Sequence, residues 1–342
     1  MRFVFVCLTL TLTFLASACG DGRERLFVYN FTDYIDPLAV ADFETEFGVR
    51  VVYREFKTNE AMYADLTGGA SYDVIFPSDY MIQRLIREGR LEPIDYSAIP
   101  NISNIAEEFR VAPHDPGGTY SVPYMAGTLG ILYNSRAVGG EIDSWGELWN
   151  PKYKGRILMY DSQRDALTVA LRYLGYSANS ADADELNAAA ELLIAQKPLV
   201  GARLTDEIKD RMIREEAALA VTYSGDAFYA ETRNPDLKYV VPKEGSGVFY
   251  DGMVIAKGTP RKRLAELFIN YMCRPGVALR NTLYTGYIPV NSAARSLLPE
   301  TYAGSPTVLP GDELERCEWF LDAEGARGIY DEVWRRILLA RE

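Results

Sequence analysis

Five short segments of the chain bring carboxylates and aromatic rings close together. They are Asn30-Phe31-Thr32-Asp33-Tyr34, Pro77-Ser78-Asp79-Tyr80, Asp161-Ser162-Gln163-Arg164-Asp165 directly after Tyr160, Thr222-Tyr223-Ser224-Gly225-Asp226, and Phe249-Tyr250-Asp251. That pairing suits an organic ammonium ion. An ammonium needs carboxylates and hydrogen-bond acceptors before it can leave water. Aliphatic methylenes pack on aromatic faces, and each ring attracts the cation by roughly 0.5–2 kcal/mol. Several carboxylates spread along a cleft suit a ligand with spaced charges better than one with a single charge. Each segment also has a plainer reading. An Asp after a strand is a common helix N-cap, which fits Asp226 before Ala227-Phe228-Tyr229. Asp33 and Asp79 fit turns, and rings at strand ends are often core. Recurrence at five places favours a site, but only the tertiary structure can bring the five together.

The elements that must position these segments alternate between strand and helix, the pattern of an α/β fold. Strands are expected at Leu26–Tyr29, Val49–Tyr53, Asp73–Phe76, Leu129–Tyr133, Ile157–Tyr160, Ala218–Tyr223, Lys238–Val241 and Met253–Ala256. Asp36-Pro37 supplies an N-cap and a first-turn proline for a helix that carries Phe43 and Phe47 and stops at Gly48. Further helices are expected at Tyr80–Glu88, Arg164–Leu174, Asp184–Ala195, Asp206–Glu216, from Pro260 to Met272, from Pro275, and over about Gly328–Leu339. Ligands of open α/β sheets bind beyond the carboxyl ends of strands, and four of the five segments follow such an end. The fifth, Phe249-Tyr250-Asp251, precedes one.

Other chemistries are poorly served. Asp226 and Asp251 could form a hydrolytic carboxylate pair, yet no Gly-x-Ser-x-Gly elbow, Walker loop or His-Glu-x-x-His occurs. The single His114 lies in a polar loop, so there is no His-pair metal site and no Ser–His diad. Tyr is abundant at 23 residues, but no two are adjacent. The formal net charge of −12 argues against nucleic acid, which needs clustered Lys and Arg. It suits a soluble protein and a cationic ligand.

The first residues carry an address. Arg2 precedes an apolar run, Phe3 to Ala18, too short to span a bilayer and fitting a secretory signal. Leu15-Ala16-Ser17-Ala18-Cys19 resembles a bacterial lipobox, although Ala16 stands where Leu is usual. Residues 1–18 then read as a signal peptide, Cys19 as the lipidated residue and 19–25 as a tether. The remainder is long enough for two domains. Cys273, in an apolar helical run, reads as a buried free thiol rather than half of a disulfide with Cys317.

Several stretches resemble the periplasmic spermidine/putrescine-binding proteins of polyamine ABC transporters. They are Tyr29-Asn30-Phe31-Thr32-Asp33-Tyr34-Ile35, Ser144-Trp145-Gly146-Glu147-Leu148-Trp149 with Pro151-Lys152-Tyr153-Lys154-Gly155, Ala170-Leu171-Arg172-Tyr173-Leu174-Gly175-Tyr176-Ser177, and Pro242-Lys243-Glu244-Gly245. The similarity runs over nearly all of the mature chain. It implies a two-lobed periplasmic-binding-protein fold of the type II kind, with ligand in the cleft between lobes. The lobes are expected at 26–132 plus 252–290 and at 133–251 plus 291–342. The resemblance also implies a site. Phe31 stands where the family often has Trp, followed by Thr32, Asp33 and Tyr34. Ser78 and Tyr80 match a Pro-Ser-x-Tyr turn. Asp165 matches an acidic residue of the second lobe, with Ser162 where spermidine binders often have Asp. Tyr223 stands at a frequent Trp position, with Asp226 three residues on. Phe249 and Asp251 match an aromatic-x-Asp motif whose Asp grips an amine. Tyr287 matches a ring near the ligand, and Phe320 falls where spermidine binders can have Gln. Ser162, Asp226, Phe249 and Phe320 lean towards the diamine type. The function implied is a monomeric receptor without cofactor or chemistry of its own, tethered to the membrane and delivering putrescine or spermidine to an inner-membrane ABC permease. A ferric-ion receptor of the same architecture and a polyamine sensor are the alternatives.

Overall fold

The structure is a computed structural model that describes residues 22–110, 112–302 and 315–340. The signal-like segment and Cys19 lie outside the described residues. Among the described residues no helix is long and apolar enough to cross a membrane.

Strands β1 (Arg25–Phe31), β2 (Arg50–Phe56), β3 (Val74–Ile75) and β4 (Leu91–Glu92) belong to the first lobe. β1 pairs in parallel with both β2 and β3. The long strand β5 (Ser121–Asn134) runs out of this lobe into the second. There β6 (Ile157–Tyr160), β7 (Val200–Leu204), β8 (Leu219–Tyr223) and β9 (Leu237–Val240) complete the sheet, with β6 parallel to β7 and β8. β10 (Gly247–Ala256) runs back beside β5, and β11 (Ile288–Pro289) and β12 (Glu318–Trp319) add short pairings to β5 and β10. The path is β2-β1-β3-β10-β5-β8-β6-β7. β5 and β10 are therefore the crossovers, and they belong to the sheet rather than to a flexible linker.

Local sequence explains most elements. The helix Pro37–Phe47 starts on Asp36, whose carboxylate accepts the Leu38 N–H at 2.9 Å, and ends on Gly48 at φ 66°. Glycine has no Cβ penalty there. Its Phe43 is fully buried against Phe268 and Tyr271, with ring centroids 5.0 and 5.3 Å away. Truncating such a ring costs about 3–5 kcal/mol. The helix Asp79–Arg87 buries Met81, Ile82 and Leu85 on one stripe.

Three of the recognised stretches meet far along the chain in one structural lock. Trp145 is fully buried and donates its indole N–H to the Gly245 carbonyl at 2.9 Å. Glu244 accepts from the Ser144 hydroxyl and from the Trp145 N–H, while Arg172 donates to the Glu244 carbonyl at 2.7 Å. Cys273 is buried, and neither it nor Cys317 is in a disulfide.

One strand departs from the sequence expectation. The first half of β5, Ser121–Thr128, lies outside the expected strands, and it holds Pro123 and Gly127, residue types that strands usually avoid. Pro123 sits opposite Gly252, at the register shift beside Asp251, where the ladder is already broken. Leu129, Ile131 and Leu132 pack in one core with Trp145, Ile157 and Leu219. Asn291 bridges to Ile105 and donates to the Cys273 carbonyl at 2.8 Å.

Candidate ligand-binding site

The parallel strands β1 and β3 end at the cleft from one lobe, and β6 and β8 from the other. The turn after β1 carries Phe31, Thr32, Asp33 and Tyr34. Asp33 takes a left-handed conformation at φ 53°, which Asp tolerates better than most residues. The turn after β3 gives Ser78 and Tyr80, the turn after β6 gives Asp165, and the turn after β8 gives Tyr223 and Asp226. All of them line one cavity of about 430 Å³, together with Phe249, Asp251, Tyr287 and Phe320. Asp79 and Asp161 do not line it. Asp79 is fully buried, and burial holds its carboxyl well above the usual range.

Asp251 corrects the strand-end reading. It lies inside β10, which is antiparallel to β3 and β5, at the point where the register shifts. Side chains alternate along a strand, so Phe249 and Asp251 face the cleft while Tyr250 packs in the core behind. A bulge re-aims its residues locally.

The carboxylates fall into two groups. In the first, Tyr34 donates its hydroxyl to Asp251 Oδ2 at 2.6 Å, and Tyr223 donates to Asp165 Oδ1 at 2.7 Å. Tyr34 is itself fixed, since Tyr124 donates to its carbonyl at 2.6 Å. Ser78 faces Asp251 across an isolated antiparallel bridge. Asn59 donates to the Ser78 hydroxyl at 3.0 Å. Asp251 Oδ1 makes no hydrogen bond of normal geometry. Both carboxylates are 4% exposed. Among the described residues neither has an ion-pair partner within 4.0 Å. Burial pushes each carboxyl up to about 6, against the Ser78 and Tyr34 hydroxyls at Asp251 and the Ser162 and Tyr223 hydroxyls at Asp165. Arg164 is close but turned away, donating to the Tyr330 hydroxyl at 3.3 Å and to Asn179. Tyr80 donates to Glu60 at 2.9 Å, adding a third carboxylate to this end.

In the second group Asp33, Asp206 and Asp226 lie around Lys209. Its ammonium is 3.6 Å from Asp33 Oδ2 and 3.5 Å from Asp226 Oδ1. Tyr287 donates to Asp226 Oδ2 at 3.3 Å. Burial raises the Asp226 carboxyl, opposed by Lys209, and takes Asp206 up to about 6.

Rings connect the two groups. Tyr287 lies 5.3 Å from Tyr34 and 5.6 Å from Phe249, and Tyr223 lies 4.9 Å from Phe249 and 5.1 Å from Tyr160. Two glycines make room for them. A Cβ at Gly225 would stand 2.5 Å from the Tyr287 ring, and one at Gly247 would run into the Phe320 ring. Sequence reasoning did not single out Glu60, Asn59, Asp206 or Lys209. Glu60 and Asn59 start the helix Asn59–Thr67, and Asp206 and Lys209 belong to the region of the helix Glu207–Ile213. None of the four sits beside a ring in the sequence, so the pairing that marks the other segments was missing. Among the described residues no group of three or more His, Cys, Asp or Glu is placed to hold a metal ion.

Two α/β lobes joined by sheet crossovers, with rings and desolvated carboxylates in the cleft between them, define a clamshell receptor for a small solute. The chain belongs to the bacterial extracellular solute-binding protein family, whose model matches residues 39–309. The spermidine/putrescine-binding periplasmic protein of Escherichia coli (strain K12) is 34% identical over 331 residues, covering 96% of this chain and 95% of its own. The solved spermidine/putrescine ABC transporter substrate-binding protein PotD of Streptococcus pneumoniae is 38% identical with a TM-score of 0.78, covering 93% of this chain and all of that one. The Tp0655 (TpPotD) lipoprotein of Treponema pallidum is 29% identical with a TM-score of 0.82, covering 92% of this chain and 99% of that one. These likenesses span both lobes and the crossovers.

Proposed function

We propose that the protein is an extracytoplasmic receptor that captures polyamines, putrescine or spermidine, and delivers them to an ABC permease. The observation that carries this reading is the pair Asp165 and Asp251. Two carboxylates are buried in an aromatic cleft, and among the described residues neither forms an ion pair. An anion in such surroundings is costly unless a counter-charge arrives. An alkyl ammonium supplies that charge, and its methylenes fit the faces of Phe31, Tyr34, Tyr80, Tyr223, Phe249 and Tyr287. In this reading Asp251, with Tyr34 and Ser78, grips one ammonium, and Asp165, with Tyr223, accepts another. Thr32 and Phe320 complete the walls, while Asp33 and Asp226 belong to the far end. The names of the relatives in Escherichia coli and Streptococcus pneumoniae support the ligand class.

The receptor works as a monomer without cofactor, held to the membrane through lipid on Cys19. The Treponema pallidum relative is a lipoprotein, which supports that anchor. Its task is binding, as in its family, rather than turnover.

A thermal-shift panel of putrescine, cadaverine, spermidine and spermine tests the reading. A ligand that binds only the folded form raises its stability, by about 2.7 kcal/mol at a hundredfold excess over Kd. At least one polyamine is expected to raise the midpoint by several degrees. No shift with any of the four overturns the proposal.

A further inference from the structure

The cleft already contains an alkyl ammonium, and it belongs to the chain. Lys209 stands on the helix Glu207–Ile213 of the second lobe and lines the cavity. Its side chain is 14% exposed. The ammonium lies between Asp33 of the first lobe, at 3.6 Å, and Asp226 of the second, at 3.5 Å. It also lies 5.6 Å from the centroid of the Tyr229 ring. Asp206 lines the same end. Carboxylates from both lobes and an aromatic ring around one primary ammonium are the same recognition set that Asp251, Asp165 and their rings form at the other end. A lysine side chain is four methylenes ending in a primary ammonium, which is chemically one aminobutyl arm of a polyamine.

We propose that Lys209 is a built-in occupant of the far ammonium subsite and so sets the length of ligand that the cleft accepts. The inference rests on the polyamine reading above and deepens it. A two-ammonium ligand fills the Asp251–Asp165 end and leaves Lys209 in place. A third ammonium must either displace Lys209 from Asp33 and Asp226 or lie beside it, and like charges set side by side are costly. The chain thereby selects by repulsion as well as by attraction. The ammonium of Lys209 carries the effect, so replacing it with an uncharged side chain of similar length leaves three carboxylates at that end without a cation, which favours the longer ligand.

The test is calorimetric titration of putrescine and spermidine into the wild-type protein, Lys209→Met and Lys209→Arg. The wild type is expected to bind putrescine about tenfold or more tighter than spermidine, the ratio set by roughly 1.4 kcal/mol. Lys209→Met is expected to move that ratio towards spermidine by about tenfold or more, mainly through a gain for spermidine. Lys209→Arg keeps the cation and is expected to keep the wild-type order. A wild type that prefers spermidine overturns the inference whatever the variants do, which covers a variant that fails to fold. A Lys209→Met protein that loses affinity for both ligands by one factor also overturns it, because Lys209 would then be only a strut between the lobes. A wild type that binds neither ligand overturns the polyamine reading itself, a result distinct from binding with the wrong length preference.

Discussion

The two ends of the cleft solve one electrostatic problem in opposite ways. At one end Asp251 and Asp165 are buried with only hydroxyls donating to them. At the other, Asp33 and Asp226 share the ammonium of Lys209. The first end keeps a charge deficit that a ligand must fill, and the second carries its own counter-ion. The same residue type has a different energetic weight at the two places. Neutralising an acid should therefore stabilise the unliganded protein more at the first end than beside Lys209 at the second.

The largest effect should come from Asp251→Asn. Removing one partner of a buried charge pair costs about 3–5 kcal/mol, so polyamine affinity is expected to fall by roughly two to nearly four orders of magnitude by calorimetry. The unliganded variant should at the same time be more stable. Asp251 has its carboxyl raised to about 6 in the folded protein. A raised carboxyl penalises folding fully above that value, and the penalty vanishes below the unfolded value near 4. Asn is thus expected to gain on the order of 3 kcal/mol in urea unfolding at pH 8 and almost nothing at pH 4. A variant that is less stable at pH 8 would break the contrast between the ends.

Acidity offers the next largest effect without mutation. Asp251 and Asp165 both sit at about 6, and the cation needs them ionised. Affinity should fall between pH 7 and 5, by about tenfold per protonated carboxylate for each unit below 6. Protons should be released on binding, which titration in buffers of different ionisation enthalpy measures. A flat profile over that range would mean that these two carboxylates do not hold the ligand.

At the other end, Asp226→Asn strips Lys209 of a partner. Burial still raises the Asp226 carboxyl but Lys209 opposes that, so Asp226→Asn is expected to stabilise the unliganded protein less than Asp251→Asn in urea unfolding at pH 8. An equal gain for the two variants would show that Lys209 does not distinguish the ends. Tyr223→Leu removes a ring and the hydroxyl that donates to Asp165, and a roughly 2–30-fold weakening is expected from the lost π-face. Lys57 and Glu207 also meet across the cleft, at 3.6 Å, but both are more than half exposed. Lys57→Met is expected to change affinity by about twofold or less, because exposed ion pairs contribute little.

Much of the candidate site was legible because cleft-lining residues and turn chemistry coincide. Asp36, Pro37 and Gly48 delimit a helix, so the preceding turn must present Phe31 to Tyr34. The same logic reached Ser78, Tyr80, Asp165, Tyr223 and Asp226, which follow strands of recognisable pattern. It failed for the first half of β5, where Pro123 and Gly127 mask a strand whose irregularity is absorbed opposite the shift at Asp251 and Gly252. It misplaced Asp251 by reading it as lying before a strand, since nothing local reveals that β10 begins at Gly247 and runs antiparallel. Lys209 left no trace, because a lysine on a short helix is by default a solvated surface charge.

The sequence by itself determined what short-range physics controls: the alternation of strand and helix, the caps, and the pairing of rings with carboxylates at strand ends. Those depend on neighbours a few residues apart. The tertiary structure alone decided which carboxylates are left without a cation. Asp33 and Lys209 are remote in the sequence and lie on different lobes, yet they meet at 3.6 Å. Asp251 has no such partner, because the lobes bring only hydroxyls to it. Charge compensation in a low-dielectric cleft is a property of three-dimensional neighbours, so composition can supply the charges but only the fold can pair them.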